Sequence, residues 1–197
     1  MKKVVLMSLV MSIGLVAFGY QVQWGTGGPS TLKNSANSNI AAGMLILLVM
    51  DGGTAGFDGI GALINQTGSD IIMDTRATAA GRLAAGGSFI YGDNGQFTTI
   101  VPSGFTSSTV TMADNGTANL YMVVFNAATI GAATEYAIVS KLGQQLPNLN
   151  NDPPDGGVYS WTQTIASTDW SAVPEPTSMA LLALGVAALG LRRKFRA

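Results

Sequence analysis

The sequence predicts an all-β fold, a single sandwich or barrel-like domain of about eight strands. Apolar and Thr-rich runs of strand length recur through the middle of the chain, among them Leu45–Val49, Ser88–Tyr91, Gln96–Val101 and Ala118–Phe125. Turn residues punctuate them, as in Gly92-Asp93-Asn94-Gly95 and Asp114-Asn115-Gly116. The middle of the chain is also long enough, at about 150 residues, to bury a core without cross-links, and the chain contains no cysteine.

From the N-terminus, Met1-Lys2-Lys3 precedes the apolar run Val4 to Phe18. Positive residues, an apolar stretch and the small-residue exit Ala17-Phe18-Gly19 form a signal peptide over residues 1–19, with cleavage expected after Gly19. Residues 20–39 are rich in Gly, Ser and Asn and read as a flexible segment, with Trp24 as the start of an edge strand. The sandwich is expected over residues 40–172. Its run from Ile40 to Met50 is too short to cross a membrane, and Leu45–Val49 fits a central strand buried on both faces. Asp70–Met73 is a short, ambiguous strand, and Thr75–Ala85 reads as one or two helical turns.

Ser88–Tyr91 and Gln96–Val101 then form a hairpin around Gly92–Gly95. Ser107–Met112, Ala118–Phe125, Tyr136–Ser140 and Val158–Ile165 supply further strands, and Asn148–Gly157, with Pro153 and Pro154, supplies a loop. The runs Ala42–Met50 and Ala118–Asn126 echo one another, as two central strands of one sheet do.

Charge narrows the function classes. The chain has a formal net charge of −1, yet the basic residues cluster at its ends. Residues 20–172 carry Lys33, Arg76, Arg82 and Lys141 against ten acidic side chains, a balance of −6. Such a body repels nucleic acid. The chain also has no histidine, the commonest general base and transition-metal ligand. There is no nucleophile-elbow or phosphate-loop motif, so no catalytic residue is assigned and no cofactor is expected. A hydrolase working through two carboxylates is the remaining enzymatic alternative. With only oxygen ligands available, calcium is the most plausible ion. Its weak candidates are Asp152 and Asp155, with Asp51, Asp93 and Asp114 in other turns, although none lies in a calcium-loop pattern. Tyr159, Trp161 and Trp170 are candidates for stacking on sugar rings, with Trp24, Tyr91 and Phe105 as further aromatics.

The C-terminus is the most specific part of the chain. Val173-Pro174-Glu175-Pro176 precedes the apolar run Thr177 to Leu191, which precedes Arg192-Arg193-Lys194-Phe195-Arg196-Ala197. As a helix, the run would span ~22 Å, short of a ~30 Å hydrocarbon core. Arg192, Arg193, Lys194 and Arg196 compensate, since they can reach the inner headgroups and satisfy the positive-inside rule. A transmembrane helix is therefore expected over 177–191, with a basic stop behind it. Two prolines two residues apart hold the preceding backbone extended, a form an enzyme can grip.

This three-part order resembles the PEP-CTERM sorting signal, with Pro174, Glu175 and Pro176 matching its motif. The resemblance covers residues 173–197 and implies localisation, not activity. It implies general export, a transient membrane anchor, and recognition by exosortase, a membrane-embedded enzyme cleaving near the motif. It further implies a cell-surface or extracellular destination, linked to exopolysaccharide, biofilm and extracellular matrix. The expected function is accordingly that of an exported, non-enzymatic surface protein, with a module binding exopolysaccharide as the alternative.

Overall fold

The computed structural model describes residues 20–26, 31–53, 56–83, 87–91, 96–111, 116–145 and 162–174. The expected signal peptide, Glu175, Pro176, the expected helix 177–191 and the basic stop lie outside them. Among the described residues no helix is long and apolar enough to cross a membrane.

The fold is all-β, with eleven strands among the described residues: β1 (Tyr20–Thr26), β2 (Leu45–Met50), β3 (Ile71–Ala79), β4 (Arg82–Leu83), β5 (Gly87–Tyr91), β6 (Gln96–Thr98), β7 (Thr109–Thr111), β8 (Thr117–Phe125), β9 (Glu135–Gln145), β10 (Thr162–Gln163) and β11 (Trp170–Ala172). Six of them form one antiparallel sheet in the order β11-β9-β8-β2-β3-β4. A three-stranded sheet, β10-β1-β5, and the pair β6-β7 complete the set.

The main sheet is buried on both faces. Ile46 and Leu48 of β2, with Met122 and Val124 of β8, point into one cluster, where they meet Trp24, Phe97 and Val110 from the smaller sheets. This is the sandwich interface. Leu45, Leu47 and Val49, with Tyr121, Val123 and Phe125, point the other way. There they meet Ile60 and Leu63 of a short helix, α1 (Ile60–Asn65), and Ile130 of a 3-10 turn (Ile130–Ala132). Continuous apolar strands follow from this arrangement, because alternate side chains enter different cores. The echo between β2 and β8 has the same origin, as they are antiparallel neighbours with Leu47 opposite Val123.

Four local expectations are corrected. Thr75–Ala85, expected as helical turns, is not helical over its described residues 75–83: it continues β3, turns at Ala80-Gly81 and enters β4. The alanines' helix preference yields to the ladder with β2 and to Thr78, whose buried hydroxyl donates to Ala41 O at 2.6 Å and accepts from Met44 N at 2.8 Å. The hairpin of β5 with β6 does not form. β5 pairs with β1 and β6 with β7, so that Phe97 and Val110 lie side by side facing the first core. Gly92–Gly95 itself lies outside the described residues, and tertiary burial selects the partners of the strands on either side of it.

Trp24 does not begin an edge strand, since β1 is the middle strand of its sheet. Segment 20–39, read as flexible, supplies the buried Trp24 and Leu32 to the core. Leu32 bridges Ile165 in parallel, and its N–H donates to Gly81 O at 2.9 Å. Burying two large apolar side chains outweighs the segment's Gly and Asn content.

One irregularity places a charge inside. Between Leu48 and Val49 the pairing with β3 slips, Leu48 facing Asp74 and Val49 facing Ile72. Met73 is the extra residue of this β-bulge, so Met73 and Asp74 both turn toward the first core. Asp74 is fully buried there. Its Oδ2 accepts from Trp24 Nε1 at 2.8 Å and Arg76 Nε at 2.9 Å, and its Oδ1 accepts from Thr75 N at 2.8 Å.

Candidate functional site

Two regions gather chemistry-bearing residues: the C-terminal edge of the main sheet and an acidic corner beyond the end of β2. At the edge, β11 pairs antiparallel with β9, placing Trp170 opposite Ala137, Ser171 opposite Tyr136 and Ala172 opposite Glu135. Val173 extends the ladder, its N–H donating to Thr134 O at 2.9 Å, and its side chain packs against the second core. Pro174 then lines a largely apolar groove of about 670 Å³ with Val173, Ile64, Phe105, Ile130 and Ala133. The body of the protein thus holds the chain as far as the first proline of Pro174-Glu175-Pro176.

Trp170 anchors the start of this edge. It is half-buried against the first core, and its indole N–H donates to Lys33 O at 2.7 Å. Ala166 N donates to Asp169 Oδ2 at 2.8 Å, fixing the 3-10 turn (Ser167–Asp169) that leads into β11. As a stacking candidate, Trp170 therefore has part of its surface committed to the fold. Trp24, only 3% exposed, has no face for a sugar. Phe105 is half-buried in the groove wall. Tyr159 and Trp161 lie outside the described residues, and of Tyr91 only the backbone is described.

The acidic corner brings Asp51 and Asp70 near the phenol of Tyr121, with Asp58 bonded to Asp70. Asp58 Oδ2 accepts from both Ser69 N, at 2.5 Å, and Ser69 Oγ, at 2.8 Å. Asp70 Oδ2 accepts from Asp58 N at 2.7 Å, while its Oδ1 is buried without a hydrogen-bond partner. Asp51 Oδ1 accepts from Gly53 N at 2.9 Å. Close packing requires the glycines: a Cβ on Gly52 would stand 2.1 Å from Ser69 O, and one on Gly68 would stand 2.6 Å from Asp58 Oδ2.

These contacts set the electrostatics. The backbone and hydroxyl bonds from Ser69 hold the Asp58 carboxyl below the usual carboxylate range. Burial pushes Asp70 up, and the Asp58 and Asp51 charges add to this. Burial, then the Asp51 charge, raises the Tyr121 phenol. A carboxylate with lowered basicity is a weak proton acceptor, so Asp58 is poorly suited to activating the Ser69 hydroxyl. The Ser69 bonds read instead as a staple across the turn. Among the described residues no group of three or more acidic side chains could hold a metal ion. Of the calcium candidates, Asp51 is bound into this corner, and Asp93, Asp114, Asp152 and Asp155 lie outside the described residues.

The two shifts oppose one another in acid. The raised Asp70 keeps its proton to higher pH in the folded chain, so its contribution to stability falls as pH rises from the ordinary carboxylate value through the raised one. The lowered Asp58 contributes stability above the ordinary value and loses it as pH falls through the lowered one. Asp70→Asn removes the first effect. Relative to the parent, the variant's melting temperature is expected to be higher by about a degree or two at neutral pH than below the carboxylate range. Thermal unfolding at the two pH values checks this, and a difference that does not move with pH contradicts it.

Sequence reading missed α1 and this corner. Ile60, Leu63 and Ile64 do have helical spacing, but a length of six residues, with Gly61 inside and Gly59 at the N-cap, weakens the signal. Gln66, at φ 54, ends the helix. Its amide donates to Gly104 O at 3.2 Å and accepts from Thr106 N at 3.0 Å, pinning the loop that walls the groove. No local pattern announces a contact spanning 38 residues.

Comparison with known families finds one match: residues 172–194 match the PEP-CTERM protein-sorting motif. The match begins on Ala172, inside β11. No curated protein and no solved structure matches the chain. The motif marks an exported protein for sorting by exosortase, and the body carries no family assignment.

Proposed function

We propose that this chain is a non-enzymatic β-sandwich exported across the inner membrane, anchored transiently by residues 177–191 and released by exosortase to the cell surface or surrounding matrix. The observation that carries this reading is the sorting-motif match at residues 172–194, in register with Pro174-Glu175-Pro176. The ends of the chain agree with it. Lys2 and Lys3 at one end and the basic cluster at the other both belong on the inner side, leaving the acidic body outside. The chemistry of the acidic corner supports a structural body, because its exposed carboxylate is weakened as a base by the bonds that hold the turn. A role in biofilm, alongside exported polysaccharide, is the setting in which such a released domain would act.

Replacing Pro174, Glu175 and Pro176 together by alanine is expected to leave export intact and abolish C-terminal shortening. Mass spectrometry of the exported chain reads this directly. Shortened chain at the parental yield would contradict the sorting reading.

A further inference from the structure

We infer that β11 is a latch that must peel from β9 before the sorting motif can be processed. The inference rests on the sorting reading above. Its basis is reach. Three residue steps, through Glu175 and Pro176, run from Pro174, which lines the groove, to Thr177, where the apolar run begins. At about 3.3–3.6 Å per extended residue they span about 10 Å. That is no more than the width of one helix with its side chains, about 10–12 Å. With β11 paired, a body whose tail is membrane-inserted lies against the bilayer, and a membrane-embedded enzyme has no space to enclose the motif.

Peeling residues 170–174 supplies five more residues, about 17 Å of extended chain. It also frees both flanks of Pro174-Glu175-Pro176 to lie extended in an enzyme cleft. The structure makes this strand removable. β11 has three residues, stands at the edge of the main sheet and exposes Ser171 and Ala172. What holds it is local: the ladder to β9, the Val173–Thr134 bond, and the Trp170 indole on Lys33. An edge strand of this size opens at far lower cost than the central β2 or β8.

A disulfide lock tests the latch, and the chain's lack of cysteine makes any introduced pair unambiguous. The Val173–Thr134 bond makes that pair a hydrogen-bonded one, so by alternation Ala172 and Glu135 form a non-hydrogen-bonded pair. Their Cα atoms are then about 4.5 Å apart, within disulfide range. The double variant Glu135→Cys with Ala172→Cys is expressed in full length and exported to an oxidising compartment. The oxidised form is expected to lose C-terminal shortening at least tenfold, and reductant to restore it. Either single cysteine variant should process as the parent does.

Inserting Gly-Gly-Ser-Gly-Ser between Val173 and Pro174 supplies the missing reach without opening β11. The oxidised double variant carrying this insertion is expected to be shortened again. Two results overturn the latch: an oxidised double variant shortened at the parental rate, or one that stays unprocessed with the insertion. Failure of the sorting reading itself is distinct. It appears as a parent chain that is never shortened, with or without the alanine triple, and it removes the latch as well.

Discussion

Asp74→Ala is expected to lower folding stability by about 3–5 kcal/mol, the cost of breaking a buried charged contact from one side. Asp74 joins two sheets. The bulge on β3 turns its carboxylate into the sandwich interface, where it accepts the indole N–H of Trp24 from β1. Removing it leaves that buried donor without its acceptor and opens space at a close-packed site. Trp24→Phe tests the same bond from the other side while retaining an aromatic ring. It should cost less, about 1–3 kcal/mol. Urea titration of both variants and their double mutant gives the coupling. If the two losses add with no interaction energy, the bond is not what ties the sheets. Against a typical domain stability of about 5–15 kcal/mol, the alanine variant is expected to be near its folding threshold.

The second large effect concerns neighbouring residues. Leu47→Ala and Leu48→Ala are each expected to cost about 2–5 kcal/mol. Both side chains are completely buried, Leu48 in the sandwich core and Leu47 against α1 and the 3-10 turn. A sandwich sheet with one face in solvent would tolerate one of them. Denaturant midpoints of the two single variants decide between these cases. A loss under about 1 kcal/mol for Leu47→Ala would mean that the helical side does not form a true core.

The central strands of the main sheet, β2 and β8, were legible from sequence because their signal is local. Leu45–Val49 and Ala118–Phe125 are apolar without interruption, which happens when both faces are covered. What covers the second face was not legible. α1 is short and glycine-containing, and the groove loop is held by Gln66 across a long sequence separation. The strand pairing was also hidden: Gly92–Gly95 has the composition of a hairpin turn, yet β5 and β6 pair with different strands. Of the candidate site residues, the sorting motif was readable because it is a contiguous linear signal. The aromatics were not, since a Trp in sequence looks the same whether it faces solvent or, like Trp24, donates into a core.

By itself, then, the sequence determined the export address, the all-β class and the positions of the central strands, because each is written in composition or short-range order. Only the tertiary structure decided which strands pair, that the main sheet carries two cores, and that Asp74 lies inside. It also decided that the sorting motif starts on a strand paired into the body. These depend on contacts between residues far apart in the chain, where burial of whole faces outweighs local preference. The signal in the tail is linear, but the sheet edge that seats its first proline exists only once the domain has folded.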